Sequence, residues 1–191
     1  MASTVIGTDE QDQALLSRYR TGDNGAFSSL VLKYQKPVFN AAFRVIGNAD
    51  DATDISQTVF LRVLERLDSY DPKYRFFSWL YRIAINEAID FLRRTAKEDA
   101  LDEDDDFPAP DEASPERCYE AKELASCIQA ALMKLRTNER IVITLRHFND
   151  CSYLEIAEIL AIDEATVKSR LFEGRRRLGG LLKKFNGVTT S

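Results

Sequence analysis

Imidazole and thiol ligands are scarce: His147 stands alone, and Cys118, Cys127 and Cys151 are isolated, with no C-x-x-C pair. A zinc site or a Cys–His catalytic pair is therefore not expected, and the thiols read as buried or idle. There is also no Gly-rich phosphate loop and no carboxylate cluster at metal-ligand spacing. The chain is thus expected to use no metal and no cofactor, and to be no enzyme. Nowhere do eighteen or so apolar residues follow one another, and residues 2–20 carry acids but no apolar run, so neither a membrane span nor a signal peptide is expected. The expected location is the cytoplasm. Period-two alternation is likewise missing beyond a few residues, which removes strands and leaves an all-α chain.

What is present is enough for a core. The 191 residues are 45% hydrophobic and 30% charged, the balance of a globular protein needing no staples. The net charge of −5 is unevenly spread. Residues 1–96 are neutral, residues 97–123 carry −9, and residues 124–191 carry +4. Two small helical domains, 10–96 and 118–186, joined by an acidic flexible linker over 97–117, fit that division, since Asp102 to Asp106 and Pro108, Pro110 and Pro115 can bury little apolar surface. Overall acidity does not argue against a nucleic-acid partner when the basic charge is gathered at one end.

Along the chain, Leu15, Leu16 and Tyr19 mark a first helix, ended by Thr21-Gly22-Asp23-Asn24-Gly25. Ala26 to Ile46 follows with Leu30, Tyr34, Val38, Ala41 and Val45 on one side, and Pro37 predicts a kink or break near Gln35. Asp50 to Leu67 is amphipathic, turning Ala52, Ile55, Val59, Val63 and Leu67 inward and Asp54, Gln57, Thr58 and Arg62 outward. After the loop Ser69 to Arg75 comes Phe76 to Arg94, with Ser78 as the expected N-cap. Tyr70, Tyr74, Phe76, Phe77, Trp79 and Tyr81 are interleaved there with Lys73, Arg75 and Arg82. Exposed rings stack on bases while cations hold phosphates, a pairing suited to single strands, although half or more of these rings are expected in the core.

The most informative stretch is Ser152 to Leu182. Ser152 and Glu155 form a capping box, and Ile156, Ala157, Ile159 and Leu160 line one side of a short helix. Ala161-Ile162-Asp163 interrupts it. Asp163 caps a second helix with Val167, Leu171, Leu178 and Leu182 inward and a polar, basic face elsewhere. A short helix, a tight turn and a longer basic helix make a helix-turn-helix of the kind that reads a DNA major groove.

DATDISQTVFLRVLERLDSY (51–70), FFSWLYRIAINEAIDFLRR (76–94) and the run from Leu135 to Leu178 together resemble the extracytoplasmic-function sigma factors of bacterial RNA polymerase, over about Asp12 to Leu182. The resemblance implies that Asp54, Gln57, Thr58 and Leu61 meet core polymerase, through the coiled coil of the beta-prime subunit, with the beta subunit a further partner. It implies that Tyr70, Lys73, Arg75 and Asn86 hold the minus-ten element, with Tyr70 and Asn86 at a flipped base. Trp79 and Arg82 match the adjoining strand-separation surface, with core packing the rival role for Trp79. Thr166, Lys168, Ser169 and Phe172 would face bases of the minus-thirty-five element, and Arg170, Arg175 and Arg176 its phosphates, unless Arg170 turns inward. Glu173 departs from the basic residue common there, so either the promoter offers a cytosine or the position lies off the DNA. The implied function is to direct core polymerase to promoters and melt the minus-ten region. An anti-sigma factor is the implied regulator. Neither membrane insertion nor a homo-oligomer is expected. The competing reading is a stand-alone helix-turn-helix regulator with an N-terminal sensor or dimerisation domain.

Overall fold

The computed structural model describes residues 9–99 and 121–186, with side chains over 9–96 and 124–183. Among the described residues every regular element is a helix: α1 (Asp9–Arg20), α2 (Asn24–Ile46), α3 (Ala49–Arg66), α4 (Phe76–Asp99), α5 (Ala121–Met133), α6 (Thr137–Phe148), α7 (Tyr153–Leu160) and α8 (Glu164–Asn186), plus a 3-10 turn at Leu67–Ser69. The all-α expectation holds. Most of the stretch read as an acidic linker lies outside the described residues, while α4 runs on to Asp99.

Local chemistry sets the boundaries. Asp23 accepts from the Ala26 amide to start α2, and Gly47 ends it in the left-handed region, φ +89°, returning its amide to the Phe43 carbonyl. Asn48 then caps α3 by accepting from Asp50 and Asp51. Two expectations fail. Helix α2 passes Pro37 unbroken, because α1, α3, α4, α5 and α6 all pack on it and hold the helix despite the missing donor. Helix α4 opens at Phe76, two residues before Ser78, whose buried hydroxyl makes no hydrogen bond and therefore caps nothing. The thiol expectation holds for Cys151, buried and free, whereas Cys127 is disulfide-bonded.

Leu16, Leu30, Tyr34, Val38, Val45, Ile55, Val59, Val63 and Leu80 fill the space among α1 to α4, and Leu132, Leu135, Ile141, Leu145, Ile156, Val167 and Leu171 the space among α5 to α8. These form one continuous core. Helix α4 is covered on a second side by α7, and α2 by α5 and α6, so Phe77, Tyr81 and Ile85 are buried along with the inward set of α4. Asn149 donates to the Tyr81 hydroxyl at 2.7 Å and Gln129 to the Phe43 carbonyl at 3.0 Å across that junction.

Candidate nucleic-acid interface

Helix α7 is opened by the expected capping box, with the Glu155 amide donating to Ser152 Oγ at 3.2 Å and the Ser152 amide to Glu155 Oε2 at 2.8 Å. It ends at Ala161, a non-glycine residue at φ 52°, ψ 45°. Asp163 then starts α8, accepting from the Thr166 amide at 2.6 Å and the Thr166 hydroxyl at 2.9 Å, and those bonds hold its carboxyl below the usual range. Val167 and Leu171 anchor α8, with Leu178 and Leu181 packed at the margin of the core. The opposite side presents Lys168, Ser169, Phe172, Arg175 and Arg176 to solvent, Phe172 with 66% of its surface exposed. Thr166 and Arg170 are half-buried, and the Thr166 hydroxyl is taken up by the cap. Several of these cations have partners: Lys168 lies 2.9 Å from Glu164, and Arg176 lies 2.7 Å from Glu173. Both pairs are exposed, so a phosphate can replace the carboxylate at little cost.

The second cluster sits at the start of α4. Tyr70, expected as a stacking ring, is 3% exposed, because its ring packs edge-on to Phe76 and against Trp79. Its hydroxyl donates to the Tyr74 carbonyl at 2.6 Å and accepts from Gln13 at 2.5 Å. Tyr70 thus offers no free face in this arrangement and pins the loop instead. Trp79 is half-buried; Lys73, Arg82 and Asn86 are exposed. Arg75 pairs with Glu155 on α7, and Arg82 Nη2 donates to the Glu158 carbonyl at 2.6 Å. Two of the expected strand-binding cations are therefore held by the helix-turn-helix.

The third cluster lies on α3. Asp54, Gln57 and Leu61 are exposed one turn apart, Leu61 with 61% of its surface in solvent, and Thr58 donates to the Asp54 carbonyl.

The sequence model for Sigma-70 region 2 matches residues 30–98, and that for Sigma-70 region 4 matches residues 125–178. The RNA polymerase sigma-H factor of Pseudomonas aeruginosa is 35% identical over 92% of this chain and 96% of its own length. The ECF RNA polymerase sigma factor SigW of Bacillus subtilis is 34% identical over 85% and 92%. This chain belongs to the extracytoplasmic-function sigma factors of the sigma-70 family. Among solved structures, CnrH in complex with the cytosolic domain of CnrY aligns with a TM-score of 0.69 and 27% identity, covering 91% of this chain and 98% of that one. The sigma factor thus serves transcription initiation by RNA polymerase, and the stand-alone regulator has no support.

Of the aromatic run, Tyr74 is the ring of the loop that reaches solvent, with 58% exposed between Lys73 and Arg75. Two features of this sigma factor escaped the sequence. Leu64 continues the apolar stripe of Leu61 along α3, at the three-residue spacing that the amphipathic pattern contained. His147, at the end of α6, accepts from Arg175 Nε of α8 at 3.1 Å, a pairing between positions 28 apart that no local pattern could announce.

Proposed function

We propose that the factor carries core polymerase to promoters by two separate DNA contacts. Helix α8, on the helix-turn-helix, docks in the minus-thirty-five major groove. Lys168, Ser169, Phe172 and the accessible edge of Thr166 face base edges, while Arg170, Arg175 and Arg176 hold phosphates. The start of α4 takes the minus-ten strand, with Lys73, Arg75 and Arg82 on the backbone and Asn86 and Trp79 at the bases. Tyr70 reaches a base if the loop it pins opens, and Tyr74 already presents a ring. Captured unpaired bases stabilise the melted state relative to the duplex, which is how opening follows from binding alone. Asp54, Gln57, Thr58 and Leu61 dock on the beta-prime subunit, with beta a second contact, and polymerase performs the chemistry.

The carrying observation is the α7–α8 pair: a capped, tightly turned unit with a solvent-facing row of Lys168, Ser169, Phe172, Arg175 and Arg176. A protein inhibitor covering these faces is the proposed regulator, in line with the solved complex of CnrH with the cytosolic domain of CnrY. No described helix is long and apolar enough to cross a membrane, which fits action beside a cytoplasmic polymerase.

Run-off transcription with sigma-free core polymerase and a promoter library tests the reading. Discrete transcripts that depend on added protein are expected. Failure to co-elute with core polymerase, together with unaided footprinting of an inverted repeat, would overturn it.

A further inference from the structure

His147 closes α6 on the side where α8 passes, and its ring meets a cation of the exposed basic row. Arg175 Nε–H donates to His147 Nε2 at 3.1 Å, so that nitrogen carries the lone pair and the ring proton sits on Nδ1. A guanidinium otherwise free to rotate is thereby turned: Nε is occupied, and the η nitrogens keep all their donors for a ligand. The neighbouring cation is spoken for, since Arg146 donates to the Cys151 carbonyl at 2.9 Å and lies over the Tyr153 ring.

We propose that His147 is a positioning residue for promoter contact, its neutral imidazole aiming Arg175 so that the two η nitrogens meet a backbone phosphate of the minus-thirty-five duplex. This rests on the reading of α8 as the duplex-binding helix. The gain lies in orientation: an exposed arginine already placed by one hydrogen bond loses less side-chain freedom when it docks. The switch has a sign. Protonation of Nε2 replaces the acceptor with a donor and sets two like charges against each other, so Arg175 is released at low pH. The groups bearing on the ring are Arg175 from α8, Arg146 on α6 itself and Asp150 in the turn that follows. Arg44 of α2 is instead stacked over Phe148. Partial burial first, then Arg175 and Arg146, hold the imidazole below its usual 6.5, against the opposing pull of Asp150, so it is neutral under ordinary conditions.

The full chain has one histidine, so its ring nitrogens can be followed by NMR without assignment. The Nδ1–H tautomer is expected, titrating at lower pH than in Arg175→Gln. For function, holoenzyme is titrated with a duplex selected from a random library by wild-type holoenzyme. His147→Leu is expected to weaken binding about two- to fivefold, the range of an exposed pair, with no added loss when combined with Arg175→Gln. His147→Gln, which keeps an acceptor, is expected to restore wild-type affinity. Between about pH 8 and pH 5 the wild type should lose affinity relative to His147→Gln. Additive losses in the double variant, no rescue by Gln, or parallel pH profiles would overturn the positioning role. Selection of no duplex by wild-type holoenzyme would instead overturn the promoter reading beneath it, so the two failures are distinct.

Discussion

Single positions here are fixed by one or two atoms of a neighbour. Gly47 adopts φ +89°, and a Cβ placed on it would stand 2.8 Å from Met133 Sδ. Gly47→Ala therefore combines a left-handed alanine with overpacking against α5, and a loss of about 2 kcal/mol or more is expected as a lowered urea midpoint. Ala161 is the converse case: it already sits at φ 52°, so Ala161→Gly relieves that strain. The gain, after glycine's entropy, is about 0.5–1 kcal/mol, read in the same denaturation. Cys151 shows what burial does to a thiol. Burial, the largest cause, and then Glu155 push its ionisation well above the usual value, so native protein should leave Cys151 unlabelled by thiol reagents until unfolded.

Elements are where the sequence was most legible. The capping box of α7, the aspartate cap of α8 and the inward sets of α3 were written in adjacent residues, because caps and amphipathic stripes involve partners three or four apart. What failed involved partners far away. Pro37 reads locally as a breaker, yet five helices hold α2 together around it. Ser78 reads as a cap, but Phe76 and Phe77 are pulled into the core and helicity starts with them. The aromatic richness of α4 was ambiguous for the same reason, since Tyr81 is buried with a partner as distant as Asn149 while Tyr74 is left in solvent. The cap of α8 also makes a pH prediction. Asp163 has its carboxyl lowered by Thr166, so its contribution is present above the ordinary value of 3.8 and is lost as pH falls through the lowered one. Thermal melts in acid should show that limb in the wild type and lack it in Asp163→Asn. On α3, Gln57→Glu with Thr58→Glu should abolish co-elution with core polymerase while leaving the helical circular dichroism unchanged, because both side chains lie off the core.

At the scale of the whole molecule the two helical units are packed together, and that packing uses the residues proposed to bind DNA. Arg75 pairs with Glu155, Arg82 donates to Glu158, and Asn149 donates to Tyr81. Boxes about 25 base pairs apart are separated by about 85 Å of duplex, so α4 and α8 cannot serve both while α4 rests on α7. The residues between Asp99 and Ala121 span at most about 75 Å when extended, which, added to the widths of two helical units, is reach enough once the contact opens. The junction is held by polar bonds as well as apolar burial, and each is costly to lose only if its partner stays buried. Tyr81→Phe leaves the Asn149 amide without its acceptor in a site where Asn149 Oδ1 already makes no hydrogen bond, so about 1–3 kcal/mol of stability should disappear. Locking the junction makes the opposite test. With the three native cysteines replaced by serine, cysteines at Arg82 and Glu158 joined by a cleavable bismaleimide should yield a folded chain that supports no run-off transcription. Cleaving the linker should raise transcription to the level of the same variant never joined, itself lowered by the loss of the Arg82 side chain, because α4 and α7 can then part and each reach its own stretch of promoter.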